Sequence, residues 1–146
     1  MPRNADCKNC TLFQGCKTVC LWGVGPTPCD IMFVGRDPGD QEDTQGIPFV
    51  GRTGQLLNEW IKLAGLDRNS VYITNIVKCR PPGNLTPTDP EKRACSSYLA
   101  EEIQTVKPKI IVALGSDALE ELTGLKQIMK IAGTVVDSEK YGCKVF

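Results

Sequence analysis

The sequence predicts an α/β fold in three layers, with a mainly parallel sheet between two layers of helices. Short apolar runs rich in β-branched residues alternate with segments of helical periodicity, a pattern typical of parallel strands joined by crossover helices. The length of 146 residues and the 41% apolar composition suit a single domain spanning 1–146. No apolar run approaches the roughly 18 residues that a membrane span needs.

The chain has eight cysteines and no histidine. Without histidine, Ser-His and Cys-His catalysis and Cys2His2 zinc sites are excluded. We find no signal-peptide pattern and expect a cytoplasmic protein, in which cysteines bind a metal or an iron–sulfur cluster before they form disulfides. The 17 basic and 17 acidic residues balance, so any contact with DNA must be local.

The first third of the chain combines an irregular segment, a strand and a loop. Residues 1–29 hold five cysteines and little hydrophobic periodicity, so we expect an irregular segment that a metal supports. The apolar run 31–34, closed by Gly35, predicts a buried strand. The stretch from Arg36 to Gly54 predicts a long loop of the kind that often carries function.

The rest of the chain alternates helices and strands. Apolar residues at helical spacing predict a helix that Thr53 caps and Gly65 ends: Leu56, Leu57, Trp60, Ile61 and Ala64. A capping box from Thr88 to Glu91 predicts a second helix through about Val106. The other predicted elements are strands at 71–77 and 109–114, a helix from Ser116 through Leu122, and a hairpin or two edge strands at 133–136 and 141–146.

Ligands of parallel α/β sheets bind beyond the carboxyl ends of the strands. In this chain that rule indicates the loop 36–54, the segment after Asn75 and the turn at Gly115. These three segments are the predicted walls of a site.

Cysteine spacing allows two ligand sets. The compact set is Cys7, Cys10, Cys16 and Cys20 within fourteen residues, and the alternative set is Cys7 and Cys10 with Cys79 and Cys95. Spacing alone slightly favours the compact set and does not separate zinc from iron–sulfur.

Three residues near the predicted strand ends could act on a ligand. Asp37 in a Gly/Pro turn is placed to act as a base, although such residues often only form turns. Phe49 in a polar loop could fold onto the core or stack on a base. Asn75 interrupts an apolar strand, and its carboxamide could be satisfied internally or could face the imide edge of a pyrimidine.

Several blocks recur in a recognisable order: Cys7-x2-Cys10, Ile31–Gly35 with Pro38-Gly39, Glu42-Asp43, Gly46-x-Pro48-Phe49-Val50-Gly51-Arg52-x-Gly54, Thr74-Asn75-x-x-Lys78-Cys79-Arg80-Pro81-Pro82, and Cys95. Together they closely resemble the family 4 uracil-DNA glycosylases, from about Cys7 to Gly115. The resemblance implies a four-stranded, mainly parallel sheet and a 4Fe-4S cluster bound by Cys7, Cys10, Cys79 and Cys95, with Cys16 or Cys20 as a substitute ligand.

The resemblance also implies roles for the site residues. Phe49 would stack on an extruded uracil beside Gly35, Asn75 would donate to O4 and accept from N3–H, and Glu42 would help to exclude the thymine methyl. The local cations expected to meet phosphate are Arg36, Arg52, Lys78 and Arg80. The partner is uracil-containing DNA, bound by a monomer.

The chain departs from the family in two places. Family 4 usually has Gly-Glu-Ala-Pro-Gly where this chain has Gly35-Arg36-Asp37-Pro38-Gly39, and Asp37 matches the catalytic aspartate of other branches, so we expect it to be the acid/base residue. The late His-Pro motif is absent, which predicts weaker cleavage and a preference for single-stranded DNA. The alternative hypothesis is a non-catalytic iron–sulfur module that binds DNA or protein, for example in phage replication.

Overall fold

The computed structural model describes residues 4–125 and 134–146. Within them, five strands form one sheet: β1 (Ile31–Gly35), β2 (Tyr72–Asn75), β3 (Ile110–Ala113), β4 (Val136–Ser138) and β5 (Cys143–Val145), in the order β2-β1-β3-β5-β4. All neighbours are parallel except β4 and β5, which are antiparallel. The mainly parallel sheet is confirmed. The sheet has five strands rather than four because the predicted hairpin contributes two of them. Gly133, the first residue of the predicted hairpin, lies outside the described residues.

Helices cover both faces of the sheet: α1 (Asp40–Gln45), α2 (Arg52–Leu63), α3 (Asp89–Val106) and α4 (Ser116–Thr123). On one face, Leu57 and Ile61 of α2 pack with Phe33 and Ile73 of the strands. The other face holds the larger core cluster, to which α3 and α4 contribute. The three-layer prediction is therefore confirmed. No helix in the described part of the chain is long and apolar enough to cross a membrane.

Helix starts differ from the sequence prediction where glycine supplies the N-cap. α2 begins at Arg52 after Gly51, and α4 begins at Ser116 after Gly115, so neither Thr53 nor Ser116 is a capping residue. Glycine has no side chain with which to cap and so leaves little sequence signal. The capping box of α3 is confirmed, because Thr88 N–H donates to Glu91 at 2.8 Å.

The predicted loop 36–54 contains the six-residue helix α1. Its start is fixed by Gly39, whose N–H donates to Glu42 Oε1 at 3.0 Å. Six residues are too few to show helical periodicity, which explains why the pattern predicts only a loop.

The N-terminal segment is irregular, as predicted, apart from a 3-10 turn at Thr11–Gln14. It runs beside the outer edge of β2, where Val24 and Ile73 exchange backbone hydrogen bonds of 3.0 and 2.9 Å. Leu21 N–H donates to the carbonyl of Lys78 at 2.7 Å. These bonds hold the N-terminal cysteines next to the end of β2.

Candidate nucleic-acid base site

A cavity of about 500 Å³ opens at the carboxyl ends of the strands. All three segments indicated by the strand-end rule contribute to its walls. Its lining includes Gly35, Arg36, Asp37, Glu42, Phe49 and Asn75, together with Thr53, Leu57, Trp60, Asn84 and residues 114–117. The fold therefore brings together six of the predicted site residues.

Gly35 and Asn75 are opposite each other in the β1–β2 register, at the floor of this cavity. A Cβ on Gly35 would lie 2.4 Å from Phe49 Cζ and 2.6 Å from Asn75 Oδ1. Only glycine allows the ring and the carboxamide to approach the strand end this closely. Asn75 is 3% exposed, and its Oδ1 has no hydrogen-bond partner among the described residues. A buried acceptor without a donor costs free energy, so its position at a cavity favours a ligand that donates to it.

Phe49 is held in an unusual backbone conformation, with a left-handed φ of +54°. Arg68 supports it by donating Nη1 to the Phe49 carbonyl and Nη2 to the Pro48 carbonyl, both at 2.6 Å. Nη1 also donates to Asn58 Oδ1 at 2.6 Å, and burial lowers the pKa of Arg68. The sequence analysis missed Arg68, because nothing in a polar turn 19 residues away marks it as a partner of this loop.

Glu42 holds the same loop from the other side. Its carboxylate accepts hydrogen bonds from the N–H groups of Gly39 at 3.0 Å, Val50 at 2.9 Å and Gly51 at 2.6 Å. The residue is 9% exposed and lines the cavity. These contacts make Glu42 a support of the Phe49 loop, and its predicted role against the thymine methyl stays a prediction.

Replacing Gly54 by alanine is expected to destabilise the fold by about 1–3 kcal/mol. A Cβ there would lie 2.1 Å from the backbone carbon and oxygen of Phe49, a clash larger than the helix-propensity gain of about 1 kcal/mol. Urea unfolding would measure the change. Gly15→Ala is the matched control, because a Cβ at Gly15 meets nothing within 4 Å; equal losses in both variants would contradict the steric argument.

Asp37 lies at the cavity wall with 7% of its side chain exposed, in an ion pair with the Arg36 guanidinium. Burial raises the pKa of Asp37, the hydrogen bond from Arg36 opposes that rise, and the charge of Asp117 adds to it. A buried carboxyl at a cavity wall whose pKa is raised is a candidate for proton transfer.

The predicted phosphate-binding cations have different environments. Arg52 is exposed at the start of α2, and Arg36 is 37% exposed beside Asp37. Arg80 is partly buried, 3.5 Å from Asp40. Lys78 is 0% exposed and pairs with the equally buried Glu102, so the prediction that it meets phosphate is wrong. Its ammonium is held inside by hydrogen bonds to Thr74 Oγ1 and to the Asn75 carbonyl.

Five cysteines line a small cavity beside the end of β2: Cys7, Cys10, Cys20, Cys79 and Cys95. Four of them are the set that the family resemblance implies, and the fifth, Cys20, donates its backbone N–H to Cys79 Sγ at 3.3 Å. Two distant chain segments thus supply thiols to one place, a donor set whose chemistry suits an iron–sulfur cluster. In the described ranges, no group of three or more Cys, His, Asp or Glu side chains is placed to hold a metal ion.

Burial shapes the chemistry of these thiols. It raises the pKa of Cys95 to about 11 and that of Cys20 to about 11, so a bound metal would have to stabilise their thiolates. Burial also raises the pKa of Cys16, and a hydrogen bond with Cys79 opposes this rise. Cys29 lies elsewhere, with its Sγ 3.2 Å from the Ser70 carbonyl oxygen.

Comparison with known proteins shows the family of the chain. The model of the uracil DNA glycosylase superfamily matches residues 22–145, and the chain belongs to this superfamily. It is 41% identical to a type-4 uracil-DNA glycosylase of Archaeoglobus fulgidus, over 96% of this chain and 72% of the relative. It is 44% identical to a type-4 uracil-DNA glycosylase of Thermotoga maritima, over 92% and 71%. The resemblance to family 4 is confirmed.

A further relative is named as a DNA polymerase and not as a glycosylase. The chain is 32% identical to a DNA polymerase of Bacillus phage SP01, over 80% of this chain but only 13% of the polymerase. A segment similar to this chain is therefore a small part of that much longer polymerase.

Proposed function

We propose that the chain is a uracil-DNA glycosylase, which hydrolyses the N-glycosidic bond of uracil in DNA and leaves an abasic site. The observation that carries the proposal is the buried Oδ1 of Asn75 at the floor of the cavity, which has no hydrogen-bond partner within residues 4–125 and 134–146 and lies beside the ring of Phe49. A uracil base offers the N3–H donor that this oxygen lacks. The type-4 names of the relatives support the same activity.

Base selection follows from the carboxamide. Asn75 accepts from uracil N3–H and donates to O4, while Phe49 stacks on the flipped ring. Cytosine presents an acceptor at N3 and a donor at N4, so both hydrogen bonds would be lost and the buried amide would stay unpaired. Discrimination therefore needs no contact beyond this pair.

Asp37 is the acid/base residue of the proposal: it orients the attacking water or stabilises the positive charge that develops on the sugar. We expect Asp37→Asn to lower single-turnover cleavage by about 10²–10⁴. Because burial raises the pKa of Asp37, the ionised form is lost as pH falls through a value above the usual 3.8. The acid limb of the pH–rate profile should lie correspondingly high and disappear in the variant.

The control for this prediction is Asp30→Asn, an aspartate whose side chain is 72% exposed and which does not line the cavity. It should leave both the rate and the pH profile unchanged. Unchanged cleavage by Asp37→Asn would reject the assignment.

A 4Fe-4S cluster bound by Cys7, Cys10, Cys79 and Cys95 completes the proposal. When bound, the cluster would link the N-terminal segment to Cys79, which follows β2, the strand that ends at Asn75, and to Cys95 on α3. The shared cavity of these four thiols supports this set. Iron and sulfide analysis of anaerobically purified protein should give four of each per chain; one zinc without visible absorbance would reject the cluster.

The proposed substrate is uracil-containing DNA, single-stranded in preference to duplex, bound by a monomer. Arg36, Arg52 and Arg80 are the cations proposed to meet phosphate. Their number is small and the chain is neutral overall, so the salt dependence of binding should be shallow.

The test of the function is direct. A single-stranded oligonucleotide with one uracil is incubated with excess protein and then treated with alkali, which cleaves the strand at an abasic site. Cleavage at the uracil, and none in an otherwise identical thymine oligonucleotide, is expected. Absence of product at high excess of protein would overturn the proposal.

A second candidate function is a non-catalytic, cluster-stabilised module that binds DNA or protein. The match to a small part of a phage DNA polymerase favours it. DNA binding without release of uracil in the same assay would favour this module.

A further inference from the structure

Trp60 is exposed although its spacing predicts a core position. Its side chain is 54% exposed, while Leu57 and Ile61, its neighbours on α2, are 2% exposed. Leu56 and Leu63 are 43% and 85% exposed. Positions 56, 60 and 63 recur at helical spacing, so α2 carries an apolar stripe on its outer side as well as on its inner side.

This outer stripe meets the base cavity at Trp60. Thr53, Leu57 and Trp60 line the cavity along one side of the helix, and Leu63 does not. The indole therefore lies at the rim of the cavity. If a base is bound against Phe49, the DNA strand to which it belongs leaves the cavity past this rim. A large exposed aromatic at such a rim requires a physical reason, because burial of its ring is worth more than that of any other side chain.

The positive charges near the rim favour nucleic acid over an apolar partner. α2 carries Arg52 and Lys62 against a single acidic residue, Glu59, and Arg36 lines the same cavity. Cations beside an exposed aromatic ring suit a strand whose phosphates are anionic and whose bases have flat apolar faces. A buried protein interface would instead deplete charges around its centre.

We propose that Trp60 is a stacking platform for a base of single-stranded DNA adjacent to the one in the cavity. The inference rests on the proposed function, because it takes the cavity occupant to be a flipped base. Trp60 thereby contributes to strand binding and to the preference for unpaired DNA, since a neighbouring base can reach the indole only when it is free of its partner strand. It takes no part in breaking the glycosidic bond.

The test separates strand binding from cleavage. The chain has two tryptophans, so Trp22→Phe leaves Trp60 as the only indole, and a uracil-free single-stranded oligonucleotide should quench its fluorescence. Trp60→Ala should weaken binding of the same oligonucleotide by about five- to a hundredfold, with Trp60→Phe in between. With a uracil oligonucleotide, Trp60→Ala should raise KM and leave kcat within about twofold.

Leu63→Ala is the control, because Leu63 is the more exposed residue on the same stripe but lies off the cavity; its affinity should stay unchanged. If wild-type protein cleaves uracil but Trp60→Ala binds DNA as tightly as wild type, the stacking inference is overturned while the function stands. If wild-type protein sediments as a dimer and Trp60→Ala as a monomer, with unchanged DNA affinity, the stripe is a self-association surface. That result would also overturn the stacking inference. Absence of uracil cleavage by wild-type protein would overturn the proposed function itself.

Discussion

Asn75→Ala is expected to lower the single-turnover rate of uracil release by about 10²–10³, the usual loss when one preorganised donor to a developing anion is removed. In the proposed function its carboxamide donates to O4, where negative charge grows as the glycosidic bond breaks. Binding of a uracil-free oligonucleotide should stay unchanged, because that contact is made only with a flipped base. The two measurements together assign the loss to the chemical step and base recognition.

Stability should change in the opposite direction. Asn75 is 3% exposed, and in the part of the chain that the structure describes its Oδ1 has no hydrogen-bond partner. Such a group destabilises a fold by about 1–3 kcal/mol. The alanine variant should therefore unfold at equal or higher urea concentration than wild type, a trade typical of binding residues. Asn69→Ala, in the exposed turn before β2, should change neither activity nor stability. A marked loss of stability in Asn75→Ala would show that the carboxamide is structural.

Local patterns predicted the strands and the cavity floor. The apolar runs that become β1 and β2 are short and buried, and the first is closed by Gly35, where β1 ends. The second run is predicted to extend to residue 77, whereas β2 ends at Asn75. The strand-end rule then places both residues at one edge of the sheet. Phe49 is identified as a candidate from the motif that surrounds it, and this needs no knowledge of its backbone conformation.

Contacts between distant segments could not be predicted. Arg68 reaches the Phe49 carbonyl from 19 residues away, and Glu42 collects three backbone donors from two loops. Neither leaves a periodic signal, because a hydrogen bond to a backbone atom does not depend on the partner's residue type. The predicted exposure is wrong for Trp60 and Lys78, in opposite directions. Hydrophobicity predicts that Trp60 is buried, but it is exposed, and charge predicts that Lys78 is exposed, but it is buried.

Lys78→Met is expected to lower the free energy of unfolding by about 3–5 kcal/mol, the cost of leaving a buried charge unpaired. Lys78 and Glu102 are both 0% exposed, so solvent cannot replace the lost partner. The ammonium also donates to Thr74 Oγ1 at 2.6 Å and to the Asn75 carbonyl at 2.5 Å. Urea unfolding followed by circular dichroism would measure the loss.

An exposed ion pair provides the control. Lys109 and Asp30 lie 3.8 Å apart with side chains 81% and 72% exposed, and such pairs contribute about 0–1 kcal/mol. Lys109→Met removes the same charge from the same kind of side chain. If Lys78→Met costs no more than Lys109→Met, the buried pair does not stabilise the fold as the geometry indicates.

A double variant separates the unpaired charge from the lost shape. Glu102 still accepts hydrogen bonds from Tyr72 O–H at 2.6 Å and Gly23 N–H at 3.0 Å, and glutamine can accept both without a charge. Lys78→Met with Glu102→Gln should therefore recover most of the stability that Lys78→Met alone loses, a coupling that a double-mutant cycle measures directly. If the double variant is no more stable than Lys78→Met, the loss comes from the bonds of Lys78 to Thr74 and Asn75. The ammonium would then act mainly by holding the end of β2 at Asn75, whose carboxamide is proposed to recognise the base.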